Sequence, residues 1–132
     1  MTDELIKYSD IKVFKRTNNN FVSKIIKDNL INLSKLKKGY VVVKVKYSNL
    51  NFKDLLMAKG QKGLVSKIPH TPGIDMSGLV YCSRSKEFRT NDKVFVIGKP
   101  LGVEVSGSFS KFILLHEDWV MKLPKNISLK EI

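Results

Sequence analysis

Residues 40–48 read YVVVKVKYS, which places Val41, Val43, Val45 and Tyr47 on one face and Val42, Lys44, Lys46 and Ser48 on the other. A period of two is that of a half-buried strand. At Asn51 the period changes. Asn is a good N-cap, and Asp54 follows three residues later, where a carboxylate favours the start of a helix. Leu55, Leu56 and Met57 come next, and Gly60 stands where a glycine would end the turn. The spacing predicts a short helix from Asn51 to Gly60. A strand that runs polar residues into the first turn of a helix can present chemistry at a sheet edge. It can equally be an ordinary capped connector.

The remaining chain repeats the strand signal in short pieces. Alternation predicts strands over 11–15, 21–33, 76–82, 93–97, 109–115 and 119–123, the last stopped by Pro124. Asn-rich 16–20 and charged 34–39 and 83–90 read as turns, and 61–67 as a polar loop. Pro69 and Pro72 force an extended path into a Pro72-Gly73 turn, and Gly78 inside a strand predicts a bulge or a close backbone approach. Residues 98–110 form a Gly/Ser-rich loop that lacks the spacing of a dinucleotide fingerprint. Residues 1–10 read as an N-terminal extension and 11–132 as one domain. Seven or so short strands with one or two short helices predict a mainly β fold, a partly open barrel.

Charge and ligand inventory narrow the chemistry. The net charge is +12, but of 24 basic residues only Arg16, Arg84 and Arg89 are arginine, and the lysines are dispersed. Nucleic-acid readers concentrate arginine or aromatics on a basic face; an anionic small molecule would use the same field for steering, and charge alone does not separate the two. No run approaches the roughly 18 apolar residues of a membrane helix, and the short acidic start is no signal peptide, so a cytoplasmic location is expected. One cysteine, Cys82, excludes an internal disulfide and any multi-cysteine zinc site. His70 and His116 have no ligand spacing and read as surface residues. Glu117 and Asp118 are adjacent and read as a solvated corner.

The order Asn51-Phe52-Lys53-Asp54…Gly60, Pro69-x-x-Pro72-Gly73-x-Asp75-x-x-Gly78-x-Val80, Asp92-Lys93-Val94, Gly107-Ser108-Phe109-Ser110 and Trp119…Leu123-Pro124 resembles a known family. It is similar to the N-terminal GroES-like catalytic domain of medium-chain dehydrogenase/reductases, and within them to the zinc-independent quinone oxidoreductases and acrylyl-CoA reductases. The resemblance covers about residues 11–130. Zinc-dependent members carry Cys at the position of Asn51 and His-Glu at Ile74-Asp75, and their four-cysteine lobe falls near 98–108. This chain has none of these, which implies no zinc. Quinone reductases often carry Tyr at the position of Leu56. The usual Gly-Gly-Tyr/Leu-Ala appears here as Gly107-Ser108-Phe109-Ser110.

By resemblance, the activity is NADPH-dependent reduction of an activated alkene, a quinone or an acrylyl-CoA-like thioester. The resemblance assigns catalysis to Asn51, Lys53 and Asp54 and cofactor contact to Asn51 and Phe52. Asn51 would hold the nicotinamide ribose or the substrate carbonyl, and Phe52 would pack near the nicotinamide. Helix-start stabilisation for Asp54 and a solvated surface position for Lys53 stay open beside those roles. In the family a Rossmann domain follows and binds most of the cofactor. The chain stops at Ile132 before that domain would begin, so it is expected to be inactive alone, as a fragment, a truncated product or half of a split enzyme. The parent is expected to be a homodimer. A non-catalytic GroES-like interaction module and a basic β-barrel on nucleic acid are the alternatives. Neither accounts for the motif at 51–54 together with that at 69–78.

Overall fold

The computed structural model describes residues 4–15, 21–52, 54–55, 59, 69–98, 101–102 and 105–131. The turn expected at 16–20, the loop at 61–67, Lys53 and the end of the helix at Gly60 lie outside the described residues. Among the described residues there are seven strands: β1 (Leu5–Lys15), β2 (Phe21–Asn32), β3 (Tyr40–Tyr47), β4 (Asp75–Ser83), β5 (Lys93–Ile97), β6 (Phe112–His116) and β7 (Met121–Lys122). β1 and β2 form an antiparallel hairpin. The other five form an open sheet in the order β6-β3-β4-β5-β7, each neighbouring pair antiparallel. The architecture is mainly β and does not close into a barrel. Among the described residues, no helix is long and apolar enough to cross a membrane.

β3 and β4 carry the core. Val41, Val43, Met76, Val80, Val94, Val96, Ile113 and Leu115 pack in one buried cluster that spans β3 to β6. Val42, expected on the wet face of β3, is buried as well, so this strand is covered on both faces. Gly78 shows the close approach its sequence predicted: a Cβ there would stand 2.3 Å from the Lys44 carbonyl oxygen on β3.

Two strands differ from their sequence signals. β1 begins at Leu5, not at 11, and pairs Leu5 with Asn32 and Tyr8 with Asn29. The register slips between Tyr8 and Asp10, and the inward residue after the slip is the carboxylate of Asp10, only 5% exposed. An apolar alternation cannot show through a bulge with a buried carboxylate beside it. That carboxylate is satisfied by the Lys12 ammonium, the Thr71 hydroxyl at 2.8 Å and the Asn29 amide at 2.7 Å. At the other end, β7 spans only Met121–Lys122, because Glu117–Trp119 coil into a 3-10 turn. Its first free amide, Asp118 N–H, donates to His116 Nδ1 at 3.2 Å.

Candidate functional site

β3 ends at Tyr47, and residues 48–51 follow without regular structure. Asp54 and Leu55 then donate their N–H groups to the Asn51 carbonyl at 3.0 and 3.3 Å, the first bonds of a helical turn. The turn thus opens where the change of period places it. Its capping arrangement is one-sided. The Asn51 N–H donates to Asp54 Oδ2 at 2.9 Å, the back-bond of a capping box. The Asn51 side chain caps nothing among the described residues and is engaged elsewhere.

Asp54 is 1% exposed. Its second oxygen accepts the Gly73 N–H at 2.9 Å, so one carboxylate joins the start of the helical turn to the Pro72-Gly73 segment, which is irregular rather than the turn expected from sequence. Both oxygens are satisfied by backbone donors. Such geometry anchors two backbone segments, the helix-start role in an extended form.

The Pro72-Gly73 segment in turn holds the glycine-rich loop. Thr71, Gly73 and Pro72 carbonyls accept the N–H groups of Gly107, Ser108 and Phe109 at 2.7, 3.1 and 3.1 Å. Glycine is required where the two backbones touch. A Cβ on Gly107 would lie 2.3 Å from the Pro72 carbonyl oxygen, and one on Gly102 would lie 2.2 Å from that of Gly73. His70, expected at the surface, belongs to the same junction. It is half-buried, exchanges backbone hydrogen bonds with Val13, and its Nε2 donates to the Gly102 carbonyl at 2.6 Å.

The second carboxylate is Asp75, at the first position of β4. Asn51 Nδ2 donates to its Oδ2 at 3.1 Å, and Asn49 N–H donates to its Oδ1 at 3.0 Å. The Asn51 amide also reaches the Asn49 carbonyl, at 3.4 Å. Sequence reasoning placed Asp75 in a motif but gave it no role. The signal available was a carboxylate opening a strand directly after a Pro-Gly turn. A cleft of about 80 Å³ lies beside it, bounded by Tyr47, Asn49, Asp75 and Ile97. Leu50 and Phe52 stand beside the half-buried Asn51 with 77% and 74% of their surface exposed.

Asn51, Asp54 and Asp75 therefore come together, with Phe52 adjacent in the chain. The donor set is unsuited to zinc. At the positions that resemble the ligands of zinc-dependent enzymes stand an amide, the Ile74 side chain and one carboxylate. Among the described residues, no three His, Cys, Asp or Glu side chains converge. The Asn51 amide oxygen has no partner among the described residues, which leaves one acceptor open at this position.

Comparison with known proteins agrees with this architecture. The family model for the alcohol dehydrogenase GroES-like domain matches residues 37–125. A putative quinone oxidoreductase, YhfP of Bacillus subtilis, is 38% identical over 76% of this chain and 31% of its own length. Acrylyl-CoA reductase AcuI of Ruegeria pomeroyi is 36% identical over the same shares. Among solved structures, Bacillus subtilis yhfP with NAD bound superposes with a TM-score of 0.79 at 31% identity, over 96% of this chain and 37% of that one. The yhdH oxidoreductase of Salmonella enterica in complex with NADP gives 0.80 at 25% identity, over 93% and 37%. The chain spans about a third of the length of the curated relatives it matches.

Proposed function

Since the chain belongs to the alcohol dehydrogenase GroES-like domain family, the N-terminal domain of medium-chain dehydrogenase/reductases, we propose that it is the substrate-side half of a zinc-independent, NADPH-dependent reductase of activated alkenes. In this reading the domain is residues 11–132, and β1 carries it back to Leu5. The substrate is a small anionic molecule of the acrylyl-thioester class, steered by the chain's positive charge, with a quinone as the other possibility that its relatives' names support. The single observation that carries the reading is the Asn51 side chain, held by Asp75 at the opening of the helical turn and capping nothing among the described residues.

NADPH, when bound, supplies the hydride. What this chain supplies is placement. Asn51 orients one partner of the transfer, which is worth most when the reacting atoms are held near contact distance. Phe52 offers an exposed aromatic face beside it for packing against the nicotinamide. Reduction at the β-carbon develops charge on the carbonyl oxygen and requires a donor there. Lys53 is the candidate for that donor, and Asp54 acts behind the site by fixing the Asn51 and Gly73 backbones. The phosphates of the cofactor are held by a second, nucleotide-binding domain, and the complete enzyme is a homodimer in the cytoplasm.

The test is a chimera in which this chain replaces the corresponding domain of Bacillus subtilis YhfP. Consumption of NADPH with acrylyl-CoA as acceptor is the expected result. A soluble, cooperatively folded chimera that binds NADPH but reduces neither acrylyl-CoA nor a benzoquinone would overturn the reading.

A further inference from the structure

Asp75 offers only acceptors, so the group that the Asn51 amide turns toward it at 3.1 Å must be the NH2 end. The other carboxylate oxygen is fixed by the Asn49 N–H at 3.0 Å, which leaves the carboxylate little freedom to rotate away. The second proton of the Asn51 amide is directed to the Asn49 carbonyl at 3.4 Å. Both donors of Asn51 are thereby engaged within the chain. Its Oδ1 has no partner among the described residues.

We propose that Asp75 is a positioning residue that fixes the polarity of Asn51, so that Asn51 meets its ligand as a hydrogen-bond acceptor. It then holds a donor of the nicotinamide nucleoside, a ribose hydroxyl or the carboxamide N–H, and not the carbonyl of the substrate. This rests on the reductase reading and decides between the two roles that reading leaves to Asn51. A substrate carbonyl or a developing enolate oxygen finds no free donor on Asn51, so its partner is another group.

The polarity is reversible by one near-isosteric change. In Asp75→Asn the new side chain can still accept from the Asn49 N–H with its oxygen, and it turns an NH2 toward Asn51. The Asn51 amide must then invert, showing its own NH2 to the ligand. A residue that merely supported the fold would not exchange ligand preference in this way.

The experiment uses the full 132-residue chain, 15N-labelled, with the Asn51 side-chain amide signals followed by NMR. Three probes are titrated to tens of millimolar: reduced nicotinamide mononucleotide, reduced nicotinic acid mononucleotide and crotonyl-pantetheine. In the wild type the nicotinamide nucleotide should move the Asn51 signals and the thioester should not. An equal response to the nicotinic acid nucleotide assigns the donor to the ribose, and a silent one assigns it to the carboxamide. In Asp75→Asn the nucleotide response should weaken about five- to tenfold, the worth of one hydrogen bond, while a thioester response appears. Asp75→Ser serves as the second variant, losing the nucleotide response by about fivefold without gaining the thioester.

Three results overturn the proposal: an Asn51 response to the thioester in the wild type, no response to either nucleotide, or a nucleotide response unchanged in both variants. The wild-type titrations decide the matter even if Asp75→Asn does not fold. Hydride transfer is not read at any point. A chimera that reduces no alkene would leave this inference standing, and a thioester response at Asn51 would remove it while leaving the reductase reading intact.

Discussion

Asp54 Oδ1 accepts the Gly73 N–H at 2.9 Å, across 19 residues of sequence, from a carboxylate that is 1% exposed. The contact fixes the helical turn that begins at Asn51 against the Pro72-Gly73 segment that carries the glycine-rich loop. Geometry at Asn51 therefore depends on a buried carboxylate whose partners among the described residues are two backbone N–H groups.

Removing that carboxylate should cost stability. Asp54→Ala leaves two backbone donors without their partner, at about 3 kcal/mol in total. For a domain of this size the melting temperature should fall by about 10 °C. Thermal unfolding followed by circular dichroism checks this, and an unchanged midpoint would show that Asp54 is not the anchor.

Gly73 gives an independent test of the same junction. Its φ is +112°, and a Cβ there would lie 2.3 Å from Ser108 Oγ and 2.6 Å from the Ser108 nitrogen. Gly73→Ala combines a left-sided backbone with a clash against main chain, and should cost about 3 kcal/mol or more. A urea denaturation midpoint equal to that of the wild type would contradict the packing of the two loops.

Much of this was legible in the sequence. The period-two run of β3, its end near Ser48 and the helical start at Asn51 follow from alternation and its change of period, although the Asn51 side chain, expected as the N-cap, turns to Asp75. The offset from Asn51 to Asp54 anticipates the back-bond to the Asn51 N–H. What sequence could not give was the partner across space. Asp75 meets Asn51 over 24 residues, and nothing in local periodicity reports such a contact. Asp10 hid a strand for a related reason. An inward carboxylate looks like a surface residue until Thr71, Asn29 and Lys12 are seen around it. Lys53, given a catalytic role by resemblance, lies outside the described residues.

Burial and the nearby Asp10 charge raise the Tyr8 hydroxyl above its ordinary value of 10.0. Between that value and the raised one, the unfolded chain has released a proton that the folded chain keeps. Stability should therefore fall as pH rises above 10. Tyr8→Phe should flatten that alkaline decline in a series of melting curves. An identical slope in the variant would mean that the loss arises elsewhere.

Zinc should not be retained. With Asn51 and Ile74 at the positions that resemble a zinc site, the donor set lacks the thiolate and imidazole that hold the ion at micromolar levels or below. Elemental analysis after zinc loading and dialysis against a weak chelator should find well under one zinc per chain. A stoichiometric ion would require ligands that this reading does not contain.

The most direct measurement compares turnover and melting for Asn51→Ser in the YhfP chimera. If Asn51 places a reacting partner, turnover with acrylyl-CoA should fall about a hundredfold, the usual consequence of misplacement by an ångström. Losing the bond to Asp75 should cost only about 1 kcal/mol, so the melting temperature should drop by a few degrees at most. Turnover at the wild-type level, whatever the melting temperature does, would contradict the account and place the chemistry elsewhere in the molecule.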